Sequence, residues 1–223
     1  MVPGLSTSSL HFTPLAHLND SNPTLSFRFT VPNLDLPAIC SPKFKPGPPT
    51  EEAQVLSDRL NEVLIASNIL PLSSLSIQHG KAAWVLYVDA TCINYDGNAF
   101  DAALIAMVAA LRNTKLPRAT YNPDSGRTIC SRKELDPLQL NLQNSPVGIS
   151  FGIFASTHIL ADPTSFEEPL LDTTLSIILG PQEQIISVSQ IGIGSAGGQD
   201  ALMKCLEEAK KRRRALKEVI GEV

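Results

Sequence analysis

The chain has 223 residues, of which 43% are apolar, 18% charged and 5% aromatic, and its formal net charge is −4. These proportions are typical of a globular protein rich in small aliphatic side chains, and they exclude a fibrous or wholly disordered chain. The negative charge excludes a protein that binds nucleic acid through its overall charge, so any RNA contact must come from local basic patches or from partners.

The sequence predicts an intracellular protein that needs no metal and no cofactor. It contains no run of eighteen apolar residues, and its first residues lack the basic and apolar segments of a secretory signal. The four cysteines are widely spaced and share no ligand pattern with the four histidines. We therefore expect buried free thiols rather than disulfides or a zinc site.

Residues 1–30 differ from the rest of the chain. They are rich in Ser, Thr, Pro and Asn and show no sustained hydrophobic period, so we expect a poorly ordered lead-in. From residue 31 the pattern is that of a folded domain. A proline-rich turn leads into a first helix, with Thr50 as its N-cap and Glu51 and Glu52 at the positive end of its dipole. The predicted inner face of this helix consists of Leu56, Leu60, Val63, Leu64 and Ser67.

Two strands and a second helix are predicted next. The strands are Leu75–Ile77 and Ala82–Ile93, and the second is apolar enough to be a central strand covered on both sides. The YDGN turn then leads to a helix that Asn98 can cap and that Pro117 ends. Apolar residues at helical spacing should bury this helix deeply, namely Phe100, Ala103, Leu104, Met107, Val108 and Leu111.

The second half of the chain is rich in strands and ends in a long helix. The predicted strands are Val147–Ala155, His158–Ala161, Thr173–Leu179 and Ile185–Ile191, separated by Gly, Asp and Pro. The helix covers about residues 198–219, and its predicted inner side chains are Leu202, Leu206, Ala209, Leu216 and Ile220. The element order predicts an α+β fold, with helices packed on mixed β-sheets and no regular βαβ alternation.

Two motifs suggest binding but have simpler interpretations. The pattern G-x-G-x-x-G at 192–197 follows a strand and precedes a helix, as in dinucleotide-binding proteins. No second strand ending in an acidic residue follows it, so a flexible strand-to-helix turn is the better interpretation. The basic run at 210–214 wraps around its helix beside several glutamates, which favours a solvated helix face, with a weak phosphate contact as the alternative.

Acidic residues form two groups that could support acid–base chemistry. Asp89 and Asp96 flank the end of the long apolar strand, but their odd spacing lets them converge only if the strand ends or bulges between them. Asp162, Glu167 and Glu168 lie on a turn after a strand, where capping of the turn by a carboxylate is the commoner role. No Ser–His–Asp or Cys–His arrangement is indicated.

Three segments resemble a known family. The runs VPNLDLPAICSPKFKPGPPTEEAQVLSDRLNEVLIASN, HGKAAWVLYVDATCINYDGNAFDAALIAMVAALRNTKLP and ILADPTSFEEPLLDTTLSIILG resemble the RNase PH-like ring subunits of the eukaryotic RNA exosome, in particular the non-catalytic branch. The resemblance implies a single RNase PH-like domain over residues 31–223, without the strands that usually precede this part. It also implies a ring of six such subunits and RNA-binding cap proteins as partners, in the nucleus, nucleolus and cytoplasm.

The resemblance also bears on catalysis. Active members cleave RNA with phosphate, using acidic residues and a basic phosphate cradle. In this sequence Asp96 is the surviving acidic position, whereas Thr91 stands where its acidic partner is expected. Asn98 and Ala99 replace a hydroxyl residue and a basic one. Because this turn offers no cation to an anionic substrate, we expect no catalysis.

The expected function is therefore a structural ring subunit that supports 3′-to-5′ RNA processing and degradation, including rRNA maturation. Two alternatives remain, an active phosphate-dependent 3′-exoribonuclease and a truncated product without function. Candidate RNA contacts are the basic residues Lys43, Lys45 and Arg112.

Overall fold

The computed structural model describes residues 7–16, 30–130, 138–140, 142–155, 158–192 and 199–220. A short 3-10 helix, Glu168–Leu170, precedes one of the strands. In chain order the other elements are β1 (Thr7–Ala16), β2 (Thr30–Asp35), α1 (Glu51–Ala66), α2 (Leu72–Leu75), β3 (Ser76–Gln78), β4 (Ala82–Thr91), α3 (Ala99–Arg112), β5 (Lys115–Leu116), β6 (Ala119–Asn122), β7 (Arg127–Cys130), β8 (Leu138–Gln139), β9 (Val147–Phe154), β10 (His158–Ala161), β11 (Thr173–Leu179), β12 (Ile185–Gly192) and α4 (Gln199–Ile220).

The first helix begins where the sequence predicts. The Thr50 hydroxyl accepts a hydrogen bond from the Ala53 N–H at 3.2 Å, which satisfies one of the free donors at the start of α1. Leu60 and Leu64 are buried, as their spacing predicts. The second predicted helix is also present as α3, and all six of its predicted core residues are buried.

Strand β4 is the centre of the first sheet. It pairs antiparallel with β1, parallel with β2 and, at its start, antiparallel with β3. Residues 82–86 are all buried, which agrees with the prediction of a strand covered on both sides. Beyond them burial alternates, since Val88 is fully buried and Tyr87 is 40% exposed. The prediction therefore holds for the first half of the strand only.

Strand β1 lies within the predicted lead-in. Residues Thr7–Ala16 form ten consecutive pairs with β4, from Thr7 opposite Thr91 to Ala16 opposite Ala82. This departs from the expectation of a poorly ordered segment at residues 1–30, because backbone pairing with a central strand needs no local hydrophobic period. Residues 17–29 lie outside the described part of the chain.

The second sheet has the order β10-β9-β11-β12, with all pairs antiparallel. Side chains alternate across it. Val147, Ile149 and Phe151 of β9 form a core cluster with Cys205 and Ala209 of α4. The opposite face of β9 and β11 meets α3 and α1, and Ile178 of β11 belongs to the other cluster, which includes α1, α3 and β4. These contacts place the second sheet between α4 on one face and α1 and α3 on the other.

The inner face of α4 agrees with the prediction at Ala209, which is buried, and at Leu206 and Leu216, which pack partly buried against the same cluster, and it differs at Leu202. Leu202 is 37% exposed, whereas Cys205, Ala209 and Arg213 are buried at 2% exposure or less. These three residues are four apart and form one line along the helix. Small side chains at two of them, Cys205 and Ala209, let the helix approach the sheet closely, and the apolar spacing indicated Ala209 but not Cys205. The Ile220 side chain is outside the described part.

Three predictions on special residues can be compared with the structure. All four cysteines are free thiols, but Cys130 is exposed rather than buried. Among the described residues no group of His, Cys, Asp and Glu could hold a metal ion. None of the helices in the described ranges is long and apolar enough to span a membrane. Most of the G-x-G-x-x-G motif at 192–197 lies outside those ranges, since only its first residue, Gly192, is described.

Candidate functional site

The turn between β4 and α3 packs against the loop that follows β10. The Ser165 N–H donates to the Asp96 carbonyl at 3.0 Å, and the Ser165 hydroxyl donates to the Asp96 carboxylate at 2.9 Å. Asp96 therefore connects the two segments. Asp89 has a different partner, the Asn33 amide at 3.2 Å, and the two carboxylates share no hydrogen-bond partner among the described residues.

Gly97 permits the close approach of these two segments. Its φ of +89° lies in a region that favours glycine. A Cβ at this position would lie 2.6 Å from the Pro163 carbonyl oxygen and 2.6 Å from the Ser165 nitrogen. Both are backbone atoms and cannot rotate away. The glycine of the YDGN turn is therefore required by packing as well as by conformation.

Asn98 occupies the N-cap position of α3 but does not cap the helix with its side chain. Its φ of 45° is left-handed, and its side-chain amide donates to Asp101 and to Asp162, both at 2.8 Å. The Asn98 N–H instead donates to the Glu168 carboxylate at 2.8 Å. The predicted cap is therefore wrong in its mechanism, because a carboxylate seventy residues away supplies the acceptor.

Asp101 is a buried carboxylate at the start of α3. Its oxygens accept from the Ser150 N–H at 2.7 Å, the Ser150 hydroxyl at 3.0 Å and the Asn98 amide. Burial raises the pKa of Asp101 from 3.8 to about 6, although the hydrogen bonds from Asn98 and Ser150 oppose the shift and the charge of Asp162 adds to it. A Cβ on Gly148 would lie 2.6 Å from the Asp101 carboxylate, so glycine is needed there.

The raised pKa of Asp101 predicts an unusual pH dependence of stability. Below about pH 6 the Asp101 carboxyl is protonated in the folded state, whereas in the unfolded state it stays ionised until the pH falls to about 3.8. This group therefore stabilises the fold as the pH falls, and the contribution is lost as the pH rises through 6. Between pH 7 and pH 5 we expect wild type to gain about 1 kcal/mol relative to Asp101→Asn in urea unfolding. Equal gains in both proteins would contradict the assignment.

Tyr95 joins a second set of charges beside the turn. Its hydroxyl lies 3.0 Å from a Glu52 oxygen and 3.1 Å from a Glu168 oxygen. Burial, followed by the charges of Glu168 and Glu52, raises the pKa of the Tyr95 phenol, so it stays protonated as a donor. The Lys43 ammonium pairs with Glu52 at 2.7 Å and lies 5.0 Å from the centre of the Tyr95 ring.

A cavity of about 360 Å³ opens at the start of α3. Its polar lining comes from Asn98, Asp101 and Asp162 on one side. The last helix contributes Lys211 and Arg212 on the other side, so the cavity wall carries both signs of charge. The lining is completed by Gly97, Ala102, Ile105, Gly148, Ile149, Ser150, Phe151, Ala161, Glu208, Ala215 and Leu216.

The basic residues 210–214 of α4 lie in different environments rather than on one solvated face. Lys211 pairs with Glu208 at 3.2 Å, and Arg214 pairs with Glu183 through two bonds of 2.6 and 2.9 Å. Arg213, in contrast, is 2% exposed. The predicted solvated face is thus confirmed for the residues on either side and is wrong for Arg213, because burial alternates around the helix.

The three candidate RNA contacts lie in different places. Lys43 lies beside the turn and already pairs with Glu52. Lys45 is exposed on the same loop. Arg112 is at the other end of α3 from Asn98, about 20 Å away, and donates to the Ser145 hydroxyl at 3.1 Å. The structure therefore places Lys43 against Tyr95, the residue before Asp96 in the turn, and leaves Arg112 remote.

The main contact of Glu168 at the site is one that the sequence does not predict. Glu168 was expected to cap its own turn, yet it bonds the Asn98 N–H, while Glu167 accepts from the Thr164 N–H and hydroxyl at 2.9 Å each. The expectation of carboxylate capping was thus right for Glu167 only. Nothing in the local spacing connects Glu168 with the start of α3, because the two positions are far apart in the sequence and meet only through packing.

Comparison with known proteins adds family information. Residues 14–117 match the 3′ exoribonuclease family, domain 1, and residues 144–212 match the same family, domain 2. The first match begins inside the predicted lead-in. These matches agree with the resemblance that three segments of the sequence indicate.

Curated relatives give the same result. The chain is 43% identical over 182 residues to exosome complex component rrp43 of Schizosaccharomyces pombe, which covers 82% of this chain and 66% of the relative. It is 32% identical over 206 residues to exosome complex component Rrp42 of Thermococcus kodakarensis, covering 92% of this chain and 74% of the relative. The chain spans about two thirds of the length of the curated relatives it matches.

Solved structures share the fold. The Archaeoglobus fulgidus exosome with RNA bound to the active site matches with a TM-score of 0.75 at 25% identity, over 95% of this chain and 77% of that chain. An archaeal exosome core matches with a TM-score of 0.73 at 22% identity, over 96% and 76% of the two chains. The predicted α+β class, with helices packed on mixed sheets, is confirmed.

Proposed function

Because this chain belongs to the 3′ exoribonuclease family of RNase PH-like proteins, we propose that it is a non-catalytic structural subunit of an RNA exosome ring. Its relatives include exosome components of a fission yeast and of archaea. In this role it holds neighbouring RNase PH-like subunits and cap proteins and supports 3′-to-5′ RNA processing, including rRNA maturation, in the nucleus, nucleolus and cytoplasm.

One observation carries the proposal of catalytic silence. The N-terminal end of α3, where a helix would bind phosphate, is already occupied by the chain's own Glu168 carboxylate at 2.8 Å from the Asn98 N–H. A phosphate there would have to displace this carboxylate and then face Asp101 and Asp162. The negative charges of these carboxylates oppose the binding of a phosphate in a partly buried site.

The cavity wall also supplies an argument for the rival function. Lys211 and Arg212 line the same cavity from α4, so cations are present although the turn itself has none. Lys211 is partly neutralised by Glu208, and Arg212 is exposed. An active phosphorolytic exoribonuclease is therefore the second candidate function. A phosphate-dependent RNA cleavage assay distinguishes it from a structural subunit.

Purified protein is expected to release no nucleoside diphosphates from RNA and phosphate above a protein-free control. The measurement is phosphate-dependent trimming of a 3′-labelled RNA by the wild type and by Asp96→Asn. Release by the wild type that disappears in Asp96→Asn would favour the enzyme.

The structural role has its own test. A tagged full chain should recover other ring subunits from cells, and isolation of the monomer alone would contradict this role.

We also propose that residues 31–223 form one domain and that Lys45 contacts RNA. The first proposal is supported by polar contacts between the halves, since Asp101 of α3 bonds Ser150 of β9 and Arg59 of α1 bonds Ser176 of β11. The second is supported by exposure, because Lys45 is exposed and forms no ion pair within the described residues, whereas Lys43 does.

A further inference from the structure

A second cavity, of about 210 Å³, lies between α1 and β12. It shares no lining residue with the cavity at the start of α3. Its walls are mostly aliphatic and are formed by Val63, Ala66, Phe100, Ile178, Ile186 and Ile191. Four polar residues complete the lining, two charged and two hydroxylic, namely Arg59, Glu62, Ser187 and Ser189.

The Arg59 side chain is held in a fixed position at this cavity. Its guanidinium carbon lies 4.4 Å from the centre of the Phe100 ring, and one of its terminal nitrogens donates to the Ser176 hydroxyl at 3.2 Å. The Ser176 hydroxyl is in turn 2.9 Å from that of Ser150, which donates to Asp101. The guanidinium is therefore half-buried, oriented and attached to the buried polar network of the sheet.

Within the described part of the chain, most hydrogen-bond donors at this cavity have no protein acceptor. A guanidinium has five N–H donors, and Ser176 is the one acceptor that Arg59 bonds among the described residues. No carboxylate of that part of the chain forms an ion pair with it. The Ser187 and Ser189 hydroxyls form no side-chain hydrogen bond there either. A half-buried cation with so few acceptors gains strongly from an anion.

We propose that this cavity binds a carboxylate carried on a short aliphatic stem. The planar fork of Arg59 matches the two oxygens of a carboxylate, and the serine hydroxyls of β12 can donate to the same oxygens. The aliphatic walls suit methylene groups. A volume of 210 Å³ is below the roughly 300–1,000 Å³ of drug-sized sites, so the ligand is a short free acid or the glutamate side chain of a protein.

The negative charge of Glu62 should oppose the binding of a carboxylate in this cavity. Glu62 lines the cavity and is exposed, and its charge acts on Arg59, after that of the buried Asp101, without forming an ion pair. An incoming carboxylate is therefore repelled by Glu62 and attracted by Arg59. Removal of each charge should change affinity in opposite directions, which a general loss of structure cannot imitate.

The test is a titration of the full chain with butyrate, followed by NMR or calorimetry, with neutral butyramide as the matched ligand. We expect butyrate to bind, and Arg59→Gln to weaken it about tenfold. Glu62→Gln should tighten binding about threefold, as expected for an exposed charge. Lys45→Gln, which removes an exposed cation elsewhere, should leave it unchanged.

Two peptides separate the sources of the carboxylate. Acetyl-Gly-Glu-Gly-amide that binds more tightly than its Gln counterpart would assign a protein side chain, and butyrate binding without peptide binding would assign a free acid. Equal binding of butyrate and butyramide, or no tightening in Glu62→Gln, would overturn the proposal even if Arg59→Gln did not fold. None of these readouts depends on ring assembly or on RNA cleavage.

Discussion

Replacing Gly97 with alanine is expected to destabilise the fold by about 4 kcal/mol, a large value for one methyl group. The added Cβ would lie 2.6 Å from three backbone atoms of residues 163–165, and the φ of +89° adds conformational strain. Because the neighbours are backbone, relief requires the two segments to separate. That separation also breaks the contacts of Ser165 with Asp96.

Gly126 provides the matched control for this prediction. Its φ is +65°, but no heavy atom lies within 4 Å of the position of its Cβ. Gly126→Ala should therefore cost only about 1 kcal/mol, the conformational part of the effect. Urea unfolding of both variants measures the difference. Similar losses of stability in the two variants would mean that close packing against residues 163–165 is not the reason why Gly97 is required.

Replacing Leu104 with alanine is expected to destabilise the protein by about 3 kcal/mol. Leu104 has 0% exposure and belongs to the core cluster that joins α1, α3 and β4. Truncation loses buried apolar surface and leaves a cavity that the tightly packed helix cannot close. Because α3 carries Asn98 and Asp101, loosening of this helix should also weaken the site at its start.

The same substitution at Leu170 is the control. Leu170 is 55% exposed and lies in the short 3-10 helix beside the site. Leu170→Ala should change the free energy of unfolding by less than about 1 kcal/mol, since most of its side chain already contacts water. Thermal unfolding of both variants checks the prediction, and a smaller shift for Leu104→Ala than for Leu170→Ala would contradict it.

The sequence by itself determined the helices and long strands, and through them the fold class. Thr50, with two glutamates after it, located the start of α1, and the apolar spacing of α3 identified its six buried apolar residues, though not the buried Asp101. Such features repeat along the chain with the period of a helix or strand, so local order is enough to read them. The family turn at Asp96 was recognised in the same way, from contiguous residues.

Only the tertiary structure decided what that turn can do. The bond of Glu168 to the Asn98 N–H joins residues seventy positions apart, and the hydrogen-bonded chain from Arg59 to Asp101 crosses two strands. Strand β1 likewise exists through pairing with β4. Contacts of this kind depend on the packing of distant segments and leave no period in the sequence. The sequence thus determined which family turn is present, and packing decided that the chain's own carboxylate occupies it.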